Sequence, residues 1–256
     1  MTTFSPPIDE PKTLSHEHIK AYARDGYILL RGLFDEATLA RLHGVYARAH
    51  ERVLAAGESI HDGKVLYELE PVASATGGRT RLLRKVQEIF LADDEFRAVF
   101  SSDTVLDVVA DLIGDTIYYH SSKLMCKPPL GGRRKPWHQD WAYWPDMDPR
   151  QVTVWTAIDP ATVANGCMQV LPGSHLAGAM EHHNGEDFMI DESGVDRSKI
   201  IFAEMQPGDV LFFNVLLLHA SDPNNSDDPR LAGIVDYEAN PRPPGHGYGS
   251  DTPLRS

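Results

Sequence analysis

A histidine and an aspartate lie two residues apart in an aromatic segment, residues 136–145, of the 256-residue chain. Proline at each end of this segment favours an extended backbone. In an extended strand the side chains at positions i and i+2 point to the same side, so His138 and Asp140 can contact one bound object. A metal ion is the natural candidate. Two histidines and one carboxylate are the protein ligands of non-haem Fe(II) oxygenases, which leave other coordination positions open.

A second histidine, His219, follows an apolar run at residues 215–218. A dense turn signal at residues 222–229 and an apolar run from Arg230 predict a strand, a turn and a returning strand. This hairpin places Arg230 near the level of Ser221 and His219. The planar guanidinium group of arginine makes paired, charge-assisted bonds to a carboxylate. We therefore expect His219 to complete the metal site, and Arg230 with Ser221 to hold the distal carboxylate of 2-oxoglutarate, whose keto-acid end chelates iron.

Each of these residues also has an ordinary structural explanation. A His-x-Asp pair taken alone seldom binds metal, and His219 after an apolar run could be a satisfied core histidine. Arg230 could be a surface strand residue paired with Asp227 or Asp228. The order and spacing of the whole set are far more specific than any one member.

The composition predicts a globular cytoplasmic protein. Apolar residues make up 42% and charged residues 24% of the chain, which argues against disorder and against a membrane protein. No apolar run is long enough to span a bilayer, and the N-terminus has neither an apolar core nor a basic flank. Two cysteines, Cys126 and Cys167, are too few for a disulfide framework or a Cys-based zinc site. The net charge of −13 argues against a nucleic-acid partner.

Helices are predicted first along the chain, and strands follow them. A helix capped by Ser15 is expected to end at Gly26, and a second helix begins after Asp35. Further helical segments follow Asp93 and end at Gly114. Short β-branched or aromatic runs predict strands at residues 27–30, 81–86, 116–120, 124–127, 151–158, 168–171, 210–213, 215–218 and 230–235. This order predicts a β-barrel or sandwich with an N-terminal helical layer.

Four segments are expected to lie outside regular structure. One domain is predicted over residues 1–256, with a flexible arm at 1–12 and a Pro- and Gly-rich tail at 241–256. Residues 57–78 are rich in Gly, Ser and Pro and predict a mobile loop. The polar insertion at residues 176–199 is a candidate lid over one rim of the barrel.

Two short loops carry more specific signals. Asn165 and Gly166 predict a tight turn between two strands. Arg133, Arg134 and Lys135 form the one basic cluster of this acidic chain. A solvated loop is the ordinary explanation of the cluster, and a gate for an anionic substrate is the alternative.

As a set, these residues resemble the phytanoyl-CoA dioxygenase family of Fe(II)- and 2-oxoglutarate-dependent oxygenases over nearly the whole chain. The matching segments are residues 23–27, 85–88, 138–140, 155–157, 165–167, 171–175 and 208–209, and residues 219, 221 and 230. The resemblance implies a mainly β fold with flanking α-helices, a double-stranded β-helix of the jelly-roll or cupin-like kind. It also implies that His138, Asp140 and His219 bind iron, and that Arg230 and Ser221 bind the cosubstrate.

The resemblance extends to further positions around the cosubstrate. Lys85 and Trp155 match family positions that line the cosubstrate site. Where many relatives carry Gln or His on the strand before the iron motif, this chain has Ser121, with His120 adjacent. The chain is also short after Arg230, where longer relatives build part of the pocket wall.

The expected reaction is the oxidative decarboxylation of 2-oxoglutarate by O2, coupled to hydroxylation of an unactivated C–H bond and release of succinate and CO2. Trp141, Tyr143 and Trp144 are expected to form aromatic walls that position the substrate. Asp140 fills the position that a halide would need, which favours hydroxylation over halogenation.

The substrate is expected to be a free small metabolite. A coenzyme A thioester occurs in the family, but only the basic cluster at residues 133–135 is available to meet its phosphates. Two other functions stay open on the sequence alone. They are a jelly-roll metal-dependent lyase or isomerase that does not use 2-oxoglutarate, and a non-catalytic binding protein on the same scaffold.

Overall fold

The computed structural model describes residues 11–73, 79–145, 148–241 and 249–256. The helices among these residues are α1 His16–Asp25, α2 Glu36–Ala56, α3 Ile89–Ala92, α4 Asp94–Phe100 and α5 Asp103–Ile113. The strands are β1 Tyr27–Leu30, β2 Ile60–Asp62, β3 Val65–Ala73, β4 Arg79–Gln87, β5 Tyr118–Lys127, β6 Lys135–His138, β7 Gln151–Ala157, β8 Met168–Val170, β9 His183–Asn184, β10 Phe188–Met189, β11 Ile201–Ala203, β12 Val210–Asn214, β13 His219–Ser221 and β14 Arg230–Glu238.

The strands form two large antiparallel sheets. The larger sheet has eight strands in the order β1-β12-β7-β14-β5-β4-β3-β2. The smaller sheet has four strands in the order β11-β8-β13-β6, and β9 pairs with β10 in a separate two-stranded ribbon. From β1 to β5 in the larger order, and throughout the smaller order, neighbouring strands are far apart in sequence, as expected of a jelly roll, whereas β5, β4, β3 and β2 are consecutive strands. The predicted mainly β fold with flanking helices is confirmed.

The central strands β7, β12 and β14 of the larger sheet are buried on both faces. Along β7, Val152 and Val154 pack into the core shared with the helices, whereas Trp155 and Ala157 pack into the core between the two sheets. Successive side chains of a strand point to opposite faces, so this alternation assigns each residue to one of the two layers. Thr153 faces the same side as Trp155. The polar residues of the site therefore project from the inner face of this sheet.

The helix boundaries follow the predicted caps. The Ser15 hydroxyl accepts a hydrogen bond from the backbone N–H of His18 and so caps α1. Gly26 ends α1 in the left-handed region, at φ 83°. The Asp35 carboxylate caps α2 by accepting from the N–H of Thr38, and hydrogen bonds from the side chain and then the N–H of Thr38 hold the pKa of Asp35 below its usual value.

The predicted mobile loop at residues 57–78 is wrong for most of its length. It contains β2 and β3, joined at Gly63, and β3 pairs with β4 over the whole strand. Residues 67–70 alternate between apolar and polar types, but this pattern is short and the surrounding Gly, Ser and Pro obscured it. Residues 74–78 lie outside the described part of the chain. The strands predicted at residues 116–120 and 124–127 are one continuous strand, β5.

The apolar run at residues 215–218 is a turn, and the predicted strand there is wrong. The N–H of Leu217 donates to the carbonyl of Asn214 at 2.8 Å, and the N–H of Leu216 donates to Oδ1 of Asn214 at 2.9 Å. Val215 and Leu217 are nevertheless buried, because the turn lies inside the core. An apolar run reports burial but does not distinguish a buried strand from a buried turn.

Two predicted strand-to-strand connections cross between the sheets. The chain after His219–Ser221 was expected to return as a hairpin, but β13 pairs with β6 and β8 while β14 pairs with β5 and β7. The turn at Asn165 and Gly166 is present, with the N–H of Gly166 donating to the carbonyl of Val163 at 3.3 Å. It also connects the two sheets, since β7 and β8 belong to different ones.

Within the described segments, no helix is both long enough and apolar enough to cross a membrane.

A buried carboxylate fixes the chain just before α1. Asp111 of α5 is 1% exposed and accepts hydrogen bonds from the backbone N–H groups of Lys12, Thr13 and Leu14, at 2.7, 2.8 and 2.7 Å. Residue 12 of the predicted flexible arm is thus held in place, while residues 1–10 lie outside the described part of the chain. This contact joins the N-terminal segment to the helical layer that covers the larger sheet.

We expect Asp111→Ala to lower the free energy of unfolding by roughly 3 kcal/mol, because three backbone donors lose an ionised acceptor. Urea denaturation of the purified protein measures this change. Asp115→Ala is the matched control, since Asp115 pairs with Lys12 but its side chain is 71% exposed. The control is expected to cost less than about 1 kcal/mol. Equal losses in the two variants would contradict a special role for the buried carboxylate.

Candidate active site

Three buried side chains converge on one point between the two sheets. His138 ends β6 and His219 begins β13, and the two residues face each other in the antiparallel pairing. Nε2 of His138 lies 3.5 Å from Oδ1 of Asp140, and Nε2 of His219 lies 3.7 Å from the same oxygen. One ligand atom from each residue lies within 4.8 Å of the other two. The structure therefore assembles the three residues that the sequence singled out.

The backbone around Asp140 differs from the single extended strand that was predicted. Strand β6 ends at His138, Gln139 is still extended at φ −112° and ψ 134°, and a 3-10 turn begins at Asp140 and ends at Tyr143. Only one extended residue is needed between His138 and Asp140 to put their side chains on one side. The prediction of convergence therefore holds although the strand is shorter.

The two imidazoles are oriented as metal ligands. Nδ1 of His138 lies 2.9 Å from the carbonyl of Pro136, and Nδ1 of His219 lies 3.0 Å from the carbonyl of Leu217. Because Nδ1–H donates to a carbonyl in each case, the Nε2 lone pair is directed at the common point. Two imidazole nitrogens and one carboxylate oxygen that converge on one point are the donor set of a mononuclear Fe(II) site, so these residues fit that metal.

The electrostatics of Asp140 and His219 favour the protonation states that bind a metal ion. Burial raises the pKa of Asp140, but the neighbouring His219 and His138 rings and the Lys123 ammonium outweigh burial and hold it well below its usual range. Burial, followed by the influence of His138, lowers the pKa of His219 to about 3. The carboxylate is thus ionised and His219 is neutral at physiological pH. Metal binding at this site needs no prior loss of a proton from either side chain.

The second oxygen of Asp140 is held by a polar network. Oγ1 of Thr153 lies 3.1 Å from Oδ2 of Asp140 and 2.8 Å from Oδ1 of Asp236. The Ser121 hydroxyl donates to Oδ2 of Asp236 at 2.5 Å. These residues occupy paired positions on three adjacent strands, with Asp236 opposite both Thr153 and Ser121. Ser121, a predicted cosubstrate residue, therefore bonds to Asp236 in the structure.

A lysine, Lys123, lies beside the metal ligands. Nζ of Lys123 is 3.6 Å from Oδ2 of Asp236 and 5.7 Å from the ring centroid of Trp144. Its side chain is 22% exposed. Burial lowers the pKa of Lys123, but the carboxylates of Asp236 and Asp140 raise it above its usual value overall. Lys123 is therefore a fixed positive charge next to the metal ligands.

Arg230 lies at the other end of the inner face of β14 from Asp236, and the stretch of inner face between them is the candidate pocket. Its side chain is buried, one terminal nitrogen donates to the carbonyl of Gly166, and its guanidinium carbon is 5.2 Å from the ring centroid of Trp155. Gly166 has φ +76°, and a Cβ there would lie 2.1 Å from the backbone oxygen of Asp222. Only glycine fits this close approach. The Asn-Gly signal in the sequence thus marks the turn that supports Arg230.

Ser221 contacts Lys127, which lies next to Arg230 in the sheet. Nζ of Lys127 donates to the Ser221 hydroxyl at 2.9 Å, and Lys127 is the register partner of Arg230. Burial, followed by the charge of Arg230, lowers the pKa of Lys127 to about 7. Burial also lowers the pKa of Arg230 to about 10. The pocket thus has a cationic end at Lys127 and Arg230.

Lys85 lies on β4 of the larger sheet, between β3 and β5. It pairs in register with Met125 of β5, whose side chain packs into the core between the sheets. Nζ of Lys85 lies 3.2 Å from Oε2 of Glu68 on β3. The sequence-based assignment of Lys85 to the cosubstrate site stays a prediction.

Of the three aromatic residues predicted to contact substrate, Tyr143 lies beside a metal ligand, and their substrate role stays a prediction. Tyr143 is 40% exposed, and its ring centroid is 6.2 Å from that of His138. The ring centroid of Trp144 is 4.3 Å from that of His120. The backbone N–H of Trp141 donates to the carbonyl of Val215 at 3.1 Å, which fixes the 3-10 turn against the turn before His219.

The insertion at residues 176–199 packs on the strand that carries the metal motif. The side-chain amide of Gln139 donates to the carbonyl of Gly178 at 2.9 Å, and its oxygen accepts from the N–H of Met180 at 2.8 Å. The N–H of Ile190 donates to the carbonyl of Trp137 at 3.0 Å. Gln139 lies between two metal ligands, so the insertion is attached directly to the site.

The basic cluster is neutralised by acidic residues. Arg134 makes ion pairs with Glu186 and Glu192, at 3.1 and 2.5 Å, and Lys135 pairs with Asp187 at 2.6 Å. These three acidic residues belong to the insertion. The cluster therefore holds the insertion against β6, which neither the solvated-loop explanation nor the anion gate had predicted.

Sequence reasoning missed five residues that surround the site. Lys123 and Lys127 are on β5, Thr153 is on β7, Asp236 is on β14, and Gln139 lies within the metal motif. A pattern in the sequence could have identified two of them. From Ser121 onward, every second residue of β5 faces the inner side of the sheet, and these residues are Ser121, Lys123, Met125 and Lys127. The split of β5 into two predicted strands hid this pattern.

Comparisons with known proteins agree with this geometry. A probable phytanoyl-CoA dioxygenase from Caenorhabditis elegans is 29% identical over 247 residues, which cover 89% of this chain and 76% of that protein. A probable alpha-ketoglutarate-dependent hypophosphite dioxygenase from Stutzerimonas stutzeri is 27% identical over 233 residues, covering 87% of this chain and 78% of that protein.

The fold has a counterpart among solved structures. The crystal structure of EctD from S. alaskensis with bound Fe superposes with a TM-score of 0.74 at 23% identity, and covers 92% of this chain and 81% of that one. This likeness confirms the jelly-roll architecture. The family model described as phytanoyl-CoA dioxygenase (PhyH) matches residues 22–232, which is most of the chain. The chain therefore belongs to the phytanoyl-CoA dioxygenase family and is a non-haem Fe(II)- and 2-oxoglutarate-dependent dioxygenase.

Proposed function

We propose that this dioxygenase hydroxylates an unactivated C–H bond of a small-molecule metabolite, with release of succinate and CO2. The observation that carries the proposal is the convergence of His138, Asp140 and His219, with both Nδ1 atoms bonded to backbone carbonyls and both Nε2 atoms facing the Asp140 carboxylate. Iron held there supplies the activation of O2 that is coupled to decarboxylation of 2-oxoglutarate. The protein residues bind and orient the two organic molecules.

The 2-oxoglutarate molecule is proposed to lie between the metal ligands and Arg230. Arg230 and Ser221 bind its distal carboxylate, and Trp155 forms the wall beneath the guanidinium group. A bidentate arginine fixes both the position and the plane of a carboxylate. The unused Nε–H of Arg230, which has no hydrogen-bond partner among the described residues, is one of the donors available for it.

The hydroxylation outcome is supported by the third metal ligand. Asp140 occupies the coordination position that a halide needs in a halogenase, and Thr153 holds its second oxygen away from the histidines. Tyr143 and Trp144 are proposed to form the aromatic wall against which the substrate packs. A carboxylate ligand and an aromatic wall together favour transfer of oxygen to a positioned C–H bond.

A free metabolite fits this site better than a coenzyme A thioester. The phosphates of coenzyme A need unpaired cations near the pocket mouth. Arg134 and Lys135 are already paired with acidic residues of the insertion, and Arg133 lies 3.7 Å from Glu70. The lyase or isomerase alternative without 2-oxoglutarate is set aside, because the family uses this cosubstrate.

The first test is iron binding. His138→Ala and Asp140→Ala are each expected to lower the affinity for Fe(II) by roughly a hundredfold or more, because one of three protein ligands is lost. Anaerobic titration with Fe(II), followed by calorimetry, measures the affinity. His18→Ala is the control, since His18 is exposed on α1 and is expected to leave iron binding unchanged. Unchanged affinity in both ligand variants would refute the proposed metal site.

The second test concerns Thr153. We expect Thr153→Val to weaken Fe(II) binding by on the order of tenfold, because Oδ2 of Asp140 loses the hydroxyl that orients it. Thr153→Ser retains the hydroxyl and is expected to restore binding. If the valine variant binds iron as tightly as the serine variant, Thr153 contributes packing alone. Both affinities are measured by the same anaerobic titration.

The third test separates the cosubstrate from the metal. Arg230→Ala is expected to retain Fe(II) and to lose the visible metal-to-ligand charge-transfer band that chelated 2-oxoglutarate produces. The expected loss of 2-oxoglutarate affinity is roughly a hundredfold, as for removal of a bidentate carboxylate partner. Arg134→Ala is the control and should keep the band. Normal 2-oxoglutarate binding by the Arg230 variant would remove the cosubstrate role from that residue.

A further inference from the structure

Two buried cations lie side by side at the Arg230 end of the pocket. Lys127 and Arg230 are register partners on β5 and β14, and the two residues are 6% and 3% exposed respectively. Directly opposed residues of an antiparallel pair share one face of the sheet. Both charges therefore project from the inner face of the larger sheet, at the end of the pocket away from Asp236.

Among the described residues, neither cation forms an ion pair with a carboxylate, although the charges of Asp222 and Asp159 act on Lys127 and Arg230 respectively. The Lys127 ammonium donates to the Ser221 hydroxyl at 2.9 Å and to the backbone carbonyl of Asp222, which are both neutral acceptors. Arg230 donates to the carbonyl of Gly166, and its Nε–H is buried without a hydrogen-bond partner. By contrast, Lys123 at the other end of the pocket lies 3.6 Å from the Asp236 carboxylate.

An unbalanced pair of buried like charges is unfavourable. The lowered pKa of Lys127, caused by burial and then by Arg230, reflects this cost. An anionic group placed between the two cations removes the imbalance. A single carboxylate can accept hydrogen bonds from both, since its two oxygens offer about four acceptor positions.

We infer that Lys127 is a second binding residue for the cosubstrate, with its ammonium paired, beside Arg230, to the distal carboxylate of 2-oxoglutarate. This inference rests on the proposed function, because it requires that 2-oxoglutarate occupies the pocket. In this arrangement Lys127 binds the carboxylate together with Arg230 and Ser221, and its ammonium also orients the Ser221 hydroxyl. Lys127 thereby selects a dicarboxylate over a 2-oxo acid that lacks the distal charge.

A purely structural role for Lys127 makes different predictions. Lys127 braces the segment after β13, because its ammonium bonds to the carbonyl of Asp222 and its own carbonyl accepts from Nδ2 of Asn224 at 3.2 Å. If this structural role were the only one, loss of Lys127 would weaken the binding of every 2-oxo acid alike and would destabilise the ligand-free protein.

The experiment compares two ligands in Lys127→Met. Anaerobic protein loaded with Fe(II) is titrated with 2-oxoglutarate and, separately, with 2-oxopentanoate, which has the same chain length but a methyl group in place of the distal carboxylate. The charge-transfer band reports binding of each acid. The preference of the wild-type protein for 2-oxoglutarate is expected to fall by on the order of tenfold or more in Lys127→Met. An unchanged preference overturns the inference.

Lys123→Met is the matched control. Lys123 is the other lysine on the inner face of β5, but it lies beside the metal ligands rather than beside Arg230. Its loss is expected to leave the preference between the two acids unchanged. An equal change in preference in both variants would assign the effect to net charge rather than to position, and would also overturn the inference.

The same titration distinguishes failure of the proposed cosubstrate from failure of the role assigned to Lys127. If wild-type protein binds iron but gives no band with either acid, the proposed cosubstrate is wrong. If the band forms and Lys127→Met changes the binding of both acids equally, the proposed function stands and Lys127 is a brace. Thermal unfolding without ligand adds an independent check, because removal of an unpaired buried charge is expected to leave the melting temperature unchanged or raised.

The pH dependence of 2-oxoglutarate affinity provides a further readout. The titratable or charged groups that act on Lys127 are Arg230 on β14, Asp222 after β13, Arg84 on β4 and Cys167 before β8. A bound carboxylate raises the pKa of Lys127 from its value of about 7 in the free protein. Affinity is therefore highest below pH 7 and falls as the pH rises through 7 towards the higher pKa of the complex. Lys127→Met is expected to lack this step, and an identical step in the variant would count against the inference.

Discussion

The antiparallel pairing of β6 with β13 is the constraint on which the rest of the site depends. It sets His138 opposite His219, so that two imidazoles from distant parts of the chain meet without any contribution from loops. A slip of one residue in this pairing would turn one histidine to the other face of the sheet. The register shifts between His219 and Ser221. Such an irregularity re-aims the side chains that follow it, and Ser221 reaches Lys127 at the cationic end of the pocket.

Charge is distributed unevenly along the inner face of the larger sheet. One end has the carboxylates of Asp140 and Asp236 with Lys123 between them, and the other has Lys127 and Arg230 with neutral partners. A ligand with a negative group at each end of a short chain complements this arrangement only if a metal cation offsets the carboxylates at the first end. The protein charges and the metal thus define the length and polarity of the cosubstrate together.

Much of the fold and the core of the site could be predicted from the sequence, and the failures have physical causes. Caps at Ser15 and Asp35 are local interactions, so the helix boundaries were predicted correctly. The strand predicted at residues 215–218 failed because burial alone does not reveal backbone geometry. Thr153 and Asp236 were missed because their roles depend on pairing between β7 and β14, which no local pattern encodes. Lys127 needed both the continuous β5 and its register with Arg230.

The insertion at residues 176–199 is joined to the metal motif by two kinds of contact. Gln139 bonds to backbone groups of Gly178 and Met180, and these bonds do not depend on which side chain either position carries. The N–H of Gln139 also donates to Nε2 of His182, and the N–H of Trp137 donates to Glu192, so two side chains of the insertion bond directly to the segment that carries the metal ligands. A replacement of His182 or Glu192 would therefore be felt at the metal site, whereas an exposed position such as Leu176 can vary without loss of these bonds. The enzyme can thus diversify its surface at some positions of the insertion but not at others.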